Sequence, residues 1–125
     1  MTYRLHHIHL ICRDLETMIG FFTDALGAKL VARRKFGTAD GATLNLQGID
    51  INLRVSRADE EISDHLSPSI YGYDHIGLEV GDIHAACDDL TKRGYQFFMP
   101  PTDAAGLTIA FVKGRENITI ELVQN

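Results

Sequence analysis

The chain states one pattern twice. His7-Ile-His-Leu-Ile-Cys-Arg-Asp14-Leu15 returns as His75-Ile-Gly-Leu-Glu-Val-Gly-Asp82-Ile83, with His and Asp both displaced by 68 positions. Late in each copy a further run recurs, Ile49-Asp-Ile-Asn52-Leu53 against Ile118-Thr-Ile-Glu121-Leu122. A repeat of this kind restricts a chain to folds that use one supersecondary unit twice. In 125 residues it leaves room for one compact domain, or for two small modules sharing a core.

Each copy reads as a strand, a helix and three more strands. Residues 5 to 12 are too rich in alternating apolar side chains for a loop and too short for a helix. Asp14 is an N-cap, and Leu15, Ile19, Phe22 and Leu26 follow at the spacing of an amphipathic stripe that Gly27 closes. Strands are expected near 29–36, 42–47 and 49–55, with Gly37-Thr-Ala-Asp-Gly41 and Gln47-Gly48 as turns. In the second copy a strand over about 74–80 leads to a helix capped by Asp82, with Ile83, Cys87 and Leu90 on one stripe and Gly94 at its end. Strands near 95–99, 107–112 and 117–123 follow, broken at Pro100-Pro101 and at Lys113-Gly-Arg-Glu116. Module one thus covers about 4–55 and module two about 73–125 of a single domain. The polar join over 56–72 is expected to hold a short helical turn.

Strand alternation sorts side chains onto two faces. Ile8, Leu10 and Cys12 should face the helix layer, leaving His7, His9 and Ile11 on the other side. Ile76, Leu78 and Val80 should pack, with His75, Gly77 and Glu79 opposite; Ile118, Ile120 and Leu122 should pack, with Thr119, Glu121 and Val123 opposite. Asn52 and Arg54 take the matching positions in the first copy. A sheet that curls and pairs with its duplicate would gather these polar faces into one cleft, where they are costly to bury unless they bind something. Two imidazoles and a carboxylate are a ligand set for one divalent metal ion, Fe, Mn, Ni, Co or Zn, with positions left for substrate or water. His7, His75 and Glu121 supply that set. The expected fold is therefore α+β, two βαβββ modules forming a curled mixed sheet around a metal-binding cleft.

Near the ligands stand further candidates. His9 lies two residues after His7 on the same face, where the second copy has Gly77; an imidazole there suits general acid–base work. Glu79 is the rival base. Asn52 and Arg54 are candidate substrate contacts, Arg54 for an anionic group or as a partner of Glu79. Tyr71, Tyr73 and Phe111 read more readily as packing than as pocket wall, and His6, His65 and His84 as surface residues.

The opening His-Ile-x-Leu-x-x-x-Asp-Leu with Phe-Phe-Thr-Asp-Ala-Leu-Gly, and Asp74-His75-Ile-Gly-Leu-Glu-Val with Ile-Thr-Ile-Glu121-Leu, resemble the modules of the vicinal oxygen chelate superfamily. Glyoxalase I, methylmalonyl-CoA epimerase, extradiol dioxygenases, fosfomycin-resistance transferases and bleomycin-binding proteins belong to it. The resemblance implies metal ligands on the first and last strands of each module, hence His7, His75 and Glu121. Asn52 departs from the Glu or Gln usual in glyoxalase I and the epimerases. Shorter and neutral, it would ligate poorly, act through water or leave the position open. The dioxygenase Asp-Pro-x-Gly turn is replaced by Lys113-Gly-Arg-Glu-Asn117, the extradiol His is missing around Leu107–Phe111, and no potassium or phosphonate loop is evident. The resemblance thus implies a metal-dependent lyase or isomerase, with Glu121 doubling as proton shuttle and His9 or Glu79 assisting. The alternatives are an Fe(II) ring-cleaving dioxygenase and a metal-free drug- or metabolite-binding protein.

Net charge of −5 argues against a general nucleic-acid binder, and Arg33-Arg34-Lys35 reads as a solvated strand end. No apolar run approaches the roughly 20 residues of a membrane span, and the start lacks a signal core. Cys12 and Cys87 sit on apolar faces, the expected state of unpaired thiols in a reducing compartment. The partners expected are a small-molecule substrate, no nucleic acid and no membrane, in a cytoplasmic protein. The homodimer is implied by the resemblance.

Overall fold

A computed structural model describes residues 1–63 and 71–125. The chain divides into two compact units, Met1–Asp64 and His65–Asn125. The first runs β1 (His7–Ile11), α1 (Leu15–Gly20), β2 (Lys29–Phe36), β3 (Ala39–Leu46) and β4 (Ile49–Arg54). The second runs β5 (Ile76–Glu79), α2 (Ile83–Lys92), β6 (Gln96–Ala104), β7 (Leu107–Lys113) and β8 (Thr119–Gln124). The architecture is α+β, βαβββ twice, and the strands form two four-stranded mixed sheets, ordered β1-β4-β3-β2 and β5-β8-β7-β6.

Topology follows from the connections. A parallel pair cannot be joined by a tight turn, so β1 reaches its parallel partner β4 only through the helix and two antiparallel strands. β5 and β8 repeat the arrangement. The registers coincide: His9 pairs with Asn52 and Thr43 with Asn52 in unit one, Gly77 with Glu121 and Phe111 with Glu121 in unit two. The repeat read along the sequence is therefore a repeat in hydrogen bonding.

The same register builds the same core. Leu10, Leu53 and Ala42 lie across three neighbouring strands, as do Leu78, Leu122 and Ala110. Leu53, Ala42 and Ala110 are wholly buried and Leu122 nearly so. Each large apolar side chain removed from water contributes roughly 1.5–3 kcal/mol. Against these faces pack Met18, Ile19, Phe21 and Phe22 in unit one, and Ile83, Cys87 and Leu90 in unit two. The alternation expected on β1 holds, with Ile8, Leu10 and Cys12 turned in and His7, His9 and Ile11 out. Both helices start at an aspartate: Asp14 accepts from Thr17 N and Asp82 from Ala85 N, each at 3.0 Å.

Three local expectations are corrected. The first helix does not continue regularly to Leu26; after Gly20 it widens into a π turn over Phe21–Ala25, with Leu26 N donating to Phe21 O. The adjacent rings of Phe21 and Phe22 are both buried there. The turn expected over Gly37–Gly41 shrinks to Gly37-Thr38, since Phe36 pairs directly with Ala39 and Gly37 supplies the positive φ such a hairpin needs. Pro100-Pro101 does not break the chain but lies inside β6, where the register slips between Met99 and Thr102. β6 is an edge strand, so a missing N–H leaves no ladder partner unsatisfied. The described residues of the join hold a turn at Arg57-Ala58-Asp59-Glu60; the expectation of a helical turn falls in part on residues 64–70, which with His65 lie outside the described residues.

Arg33 pairs with Glu16 and Lys35 with Asp40, both on the surface, where such pairs add little stability. Cys12 and Cys87 are buried and form no disulfide. No helix among the described residues is long and apolar enough to cross a membrane.

Candidate functional site

In unit two, β5 and β8 lie parallel and side by side, which carries His75, just before β5, toward Glu121 on the same outer face. His75 Nε2 stands 3.4 Å from Glu121 Oε1, both side chains partly exposed at 29% and 21%. The other ring nitrogen, Nδ1, lies 2.7 Å from Asp74 Oδ2. Phe111, the neighbour of Glu121 on β7, presents its ring perpendicular to the imidazole with centroids 5.2 Å apart. The Asp74 hydrogen bond holds His75 above the ordinary imidazole pKa against the opposing pull of burial, and the Glu121 and Asp74 charges add to the rise. Gly77 faces Glu121 across the strand pair; a Cβ there would sit in ordinary contact, 3.5 Å from Oε1.

The corresponding face of unit one carries different chemistry. His7 Nδ1 lies 2.9 Å from His6 Nδ1, and the His7 and His9 rings stand 6.2 Å apart. His9 leans on Phe36 at 4.5 Å. Packing strips water from one side of this otherwise exposed ring and lowers its pKa, and the positive charges of Arg54, His7 and Arg57 lower it further. Both effects favour the neutral ring, the form able to accept a proton. Phe36 can lie where it does because residue 41 is glycine: a Cβ there would fall 2.3 Å from Leu53 O and 2.6 Å from the Phe36 ring.

Asn52 takes the position of Glu121 but its Oδ1 accepts the Thr43 hydroxyl at 2.7 Å. One of the two lone pairs of that oxygen is thereby engaged, while the amide N–H groups remain as donors. Arg54 is held by Glu60, not by the Glu79 that sequence reading named: Nη1 and Nη2 donate to the two carboxylate oxygens at 2.7 and 2.8 Å, and Nη1 also donates to Val55 O. That fork keeps the Glu60 carboxyl down at about 2, with the Arg57 N–H adding to it. Arg54 thus ties the segment after β4 to the sheet. Glu79 is exposed and accepts from Asn125 Nδ2 at 2.7 Å.

The structure therefore brings His75 and Glu121 together in unit two, and His7, His9 and Asn52 onto one face of unit one. Among the described residues no group of three or more His, Cys, Asp or Glu side chains is close enough to hold a metal ion. Sequence reading missed Asp74 and His6 as partners of the two histidines, Thr43 as the partner of Asn52, and Glu60 as that of Arg54. The first pair had a signal: Asp74 and His6 hold the same place in the repeat, each immediately before its histidine. Tyr71 and Tyr73 are exposed, whereas Phe111 packs against His75.

Known proteins share the fold. The probable lactoylglutathione lyase of Vibrio cholerae is 33% identical, over 98% of this chain and 91% of its own length. A glyoxalase family protein from Bacillus cereus superposes with a TM-score of 0.86 at 20% identity, covering 99% of this chain and 95% of that one. A fosfomycin resistance protein from Listeria monocytogenes, solved with Mn(II) and sulfate, gives 0.73 at 16% identity over 100% and 94% of the two chains; identities this low speak to the fold alone. Residues 4–122 match the Glyoxalase/Bleomycin resistance protein/Dioxygenase superfamily, and with the lyase relative they show that the chain belongs to it.

Proposed function

We propose that the protein is a divalent-metal-dependent lyase or isomerase acting on a small substrate with two vicinal oxygens, of the class formed by a 2-oxoaldehyde and a thiol. The observation that carries this reading is the His75–Glu121 pair. Two donors about 2.1 Å from one ion lie roughly 3.0–3.4 Å apart at octahedral or tetrahedral angles, and the observed 3.4 Å falls within that range. The donor types, imidazole nitrogen and carboxylate oxygen, suit Fe, Mn, Ni, Co or Zn. His75 and Glu121 would hold the ion, with His7 as the remaining protein ligand, while the Asn52 oxygen is shared with the Thr43 hydroxyl. Bound there, the ion would supply a Lewis acid for the substrate oxygens.

The remaining chemistry belongs to the side chains. Conversion of a hemithioacetal to a 2-hydroxy thioester removes a proton from one carbon and returns it to the neighbouring one. Glu121 is the first candidate for that transfer, since a carboxylate offers two oxygens and can take and give back one proton. His9, kept neutral by Phe36 and the nearby cations, is the assisting base. Glu79, exposed and hydrogen-bonded to Asn125, is the third candidate. Asn52 offers amide N–H groups to a substrate oxygen. A cytoplasmic site of action and a homodimer belong to the same reading, the first supported by two buried thiols with no disulfide.

The test is to strip the protein with chelator, restore each ion separately without oxygen, and follow thioester formation from a methylglyoxal–glutathione mixture. The proposal expects turnover that needs the ion and falls with Glu121→Gln. Oxygen uptake with catechols and ferrous iron, and no thioester, would replace it with a ring-cleaving dioxygenase. Substrate binding without turnover under any ion would leave a binding protein.

A further inference from the structure

His75 is gripped from the side away from Glu121, and the repeat shows that this grip is particular to unit two. Asp74 Oδ2 lies 2.7 Å from His75 Nδ1. An ionised carboxylate only accepts hydrogen bonds, so Nδ1 must carry the proton. In the neutral ring Nε2 is then left with its lone pair, and Nε2 is the nitrogen 3.4 Å from Glu121. Phe111, set edge-on at 5.2 Å and 90°, closes one side of the ring against reorientation.

One repeat earlier the same contact is made by a different residue. His6 Nδ1 meets His7 Nδ1 at 2.9 Å. Two imidazoles can exchange donor and acceptor roles, so this contact does not dictate which nitrogen of His7 carries the proton. His6 also brings no negative charge to raise the basicity of its neighbour. The two histidines that the repeat makes equivalent in position are therefore unequal in preparation.

We propose that Asp74 is a positioning residue that fixes the orientation and tautomer of His75, making it the better prepared of the two repeated histidines for a divalent cation. The proposal rests on the reading that His75 and Glu121 hold such an ion. A carboxylate behind a ligating imidazole sets the ring and strengthens its free nitrogen as a donor, and losing such a partner typically costs about 10- to 100-fold in metal affinity. Asp74 is 76% exposed at its side chain and precedes β5, so replacing it leaves the core intact.

Two readouts test this without any assay of turnover. Chelator-stripped wild type, Asp74→Ala, Asp74→Asn and His6→Ala are titrated with zinc by calorimetry. Histidine tautomers are read from long-range proton–nitrogen spectra of the metal-free proteins at a pH where the rings are neutral. The proposal expects the Nδ1–H tautomer at His75 in wild type and a mixture in Asp74→Ala. Zinc affinity should fall about 10- to 100-fold in Asp74→Ala, less in Asp74→Asn, which keeps an acceptor without the charge, and least in His6→Ala. Equal zinc affinity in wild type and Asp74→Ala would overturn the proposal alone. A wild type with the Nδ1–H tautomer that takes up no zinc would overturn the metal reading, and the proposal with it.

Discussion

Unit one and unit two share a backbone plan and a buried face, yet their outer faces have been given different work. At the four positions matched by register, unit one has His9, Asn52, Arg54 and Thr43 where unit two has Gly77, Glu121, Val123 and Phe111. Unit one's set is braced by internal contacts: Thr43 holds Asn52, Glu60 holds Arg54 and Phe36 supports His9. Unit two's set is sparse, with one carboxylate beside a glycine and the His75 imidazole reaching it from just before β5. Buried apolar positions tolerate only side chains that fill the same space, whereas the outer face is constrained only by what it binds. Duplication preserves the first and frees the second.

The largest expected effects fall on that outer contrast. Glu121→Ala should lower kcat/KM by more than about a hundredfold, because even partners one layer behind a metal ligand cost 10- to 100-fold. Asn52→Ala, its counterpart, should cost about tenfold or less, the worth of one neutral hydrogen bond. Equal losses would erase the functional difference between the units.

Stability should instead follow the shared plan. Leu53→Ala and Leu122→Ala remove matched, buried side chains and should each destabilise by about 2–5 kcal/mol in urea denaturation. Gly41→Ala should cost about 1–3 kcal/mol, since its Cβ meets backbone and the Phe36 ring. Gly77→Ala, facing Glu121 at 3.5 Å, should change stability by less than about 1 kcal/mol. Asp14→Ala and Asp82→Ala remove equivalent helix caps and should cost about 1 kcal/mol apiece.

The smallest effect is confined to unit one. Glu60 has its carboxyl depressed from 4.5 to about 2 by Arg54 and the Arg57 N–H. A carboxyl lowered on folding stabilises the native state above the unfolded value and loses that contribution as pH falls through the folded one. Thermal stability of the wild type should therefore fall more steeply between pH 4.5 and about 2 than that of Glu60→Gln. Parallel curves would remove the Arg54 clamp from the account.

The fold was legible because its determinants are local and periodic. Asp14 and Asp82 announce the helices, alternation on the first strand of each copy sorts inside from outside, and the offset of 68 positions fixes the equivalence of His7 and His75. What escaped depends on side-chain geometry between strands. The Phe21–Ala25 π turn looks like ordinary helix in its spacing, and Pro100-Pro101 inside β6 requires knowing that β6 is an edge. Glu60 was invisible as the partner of Arg54 because it reaches back from the turn after β4. The His75–Glu121 contact was legible, since both the repeat and strand parity point to it. Asp74 behind His75 was overlooked although it stood next in the sequence.

Metal content per chain, measured by elemental mass spectrometry on protein prepared without chelator or oxygen, tests the central claim most directly. The account predicts about one divalent ion per chain in the wild type, lost in His75→Ala, because the proposed function makes the His75 imidazole a ligand. A wild type that carries no metal and takes none up on titration would contradict it.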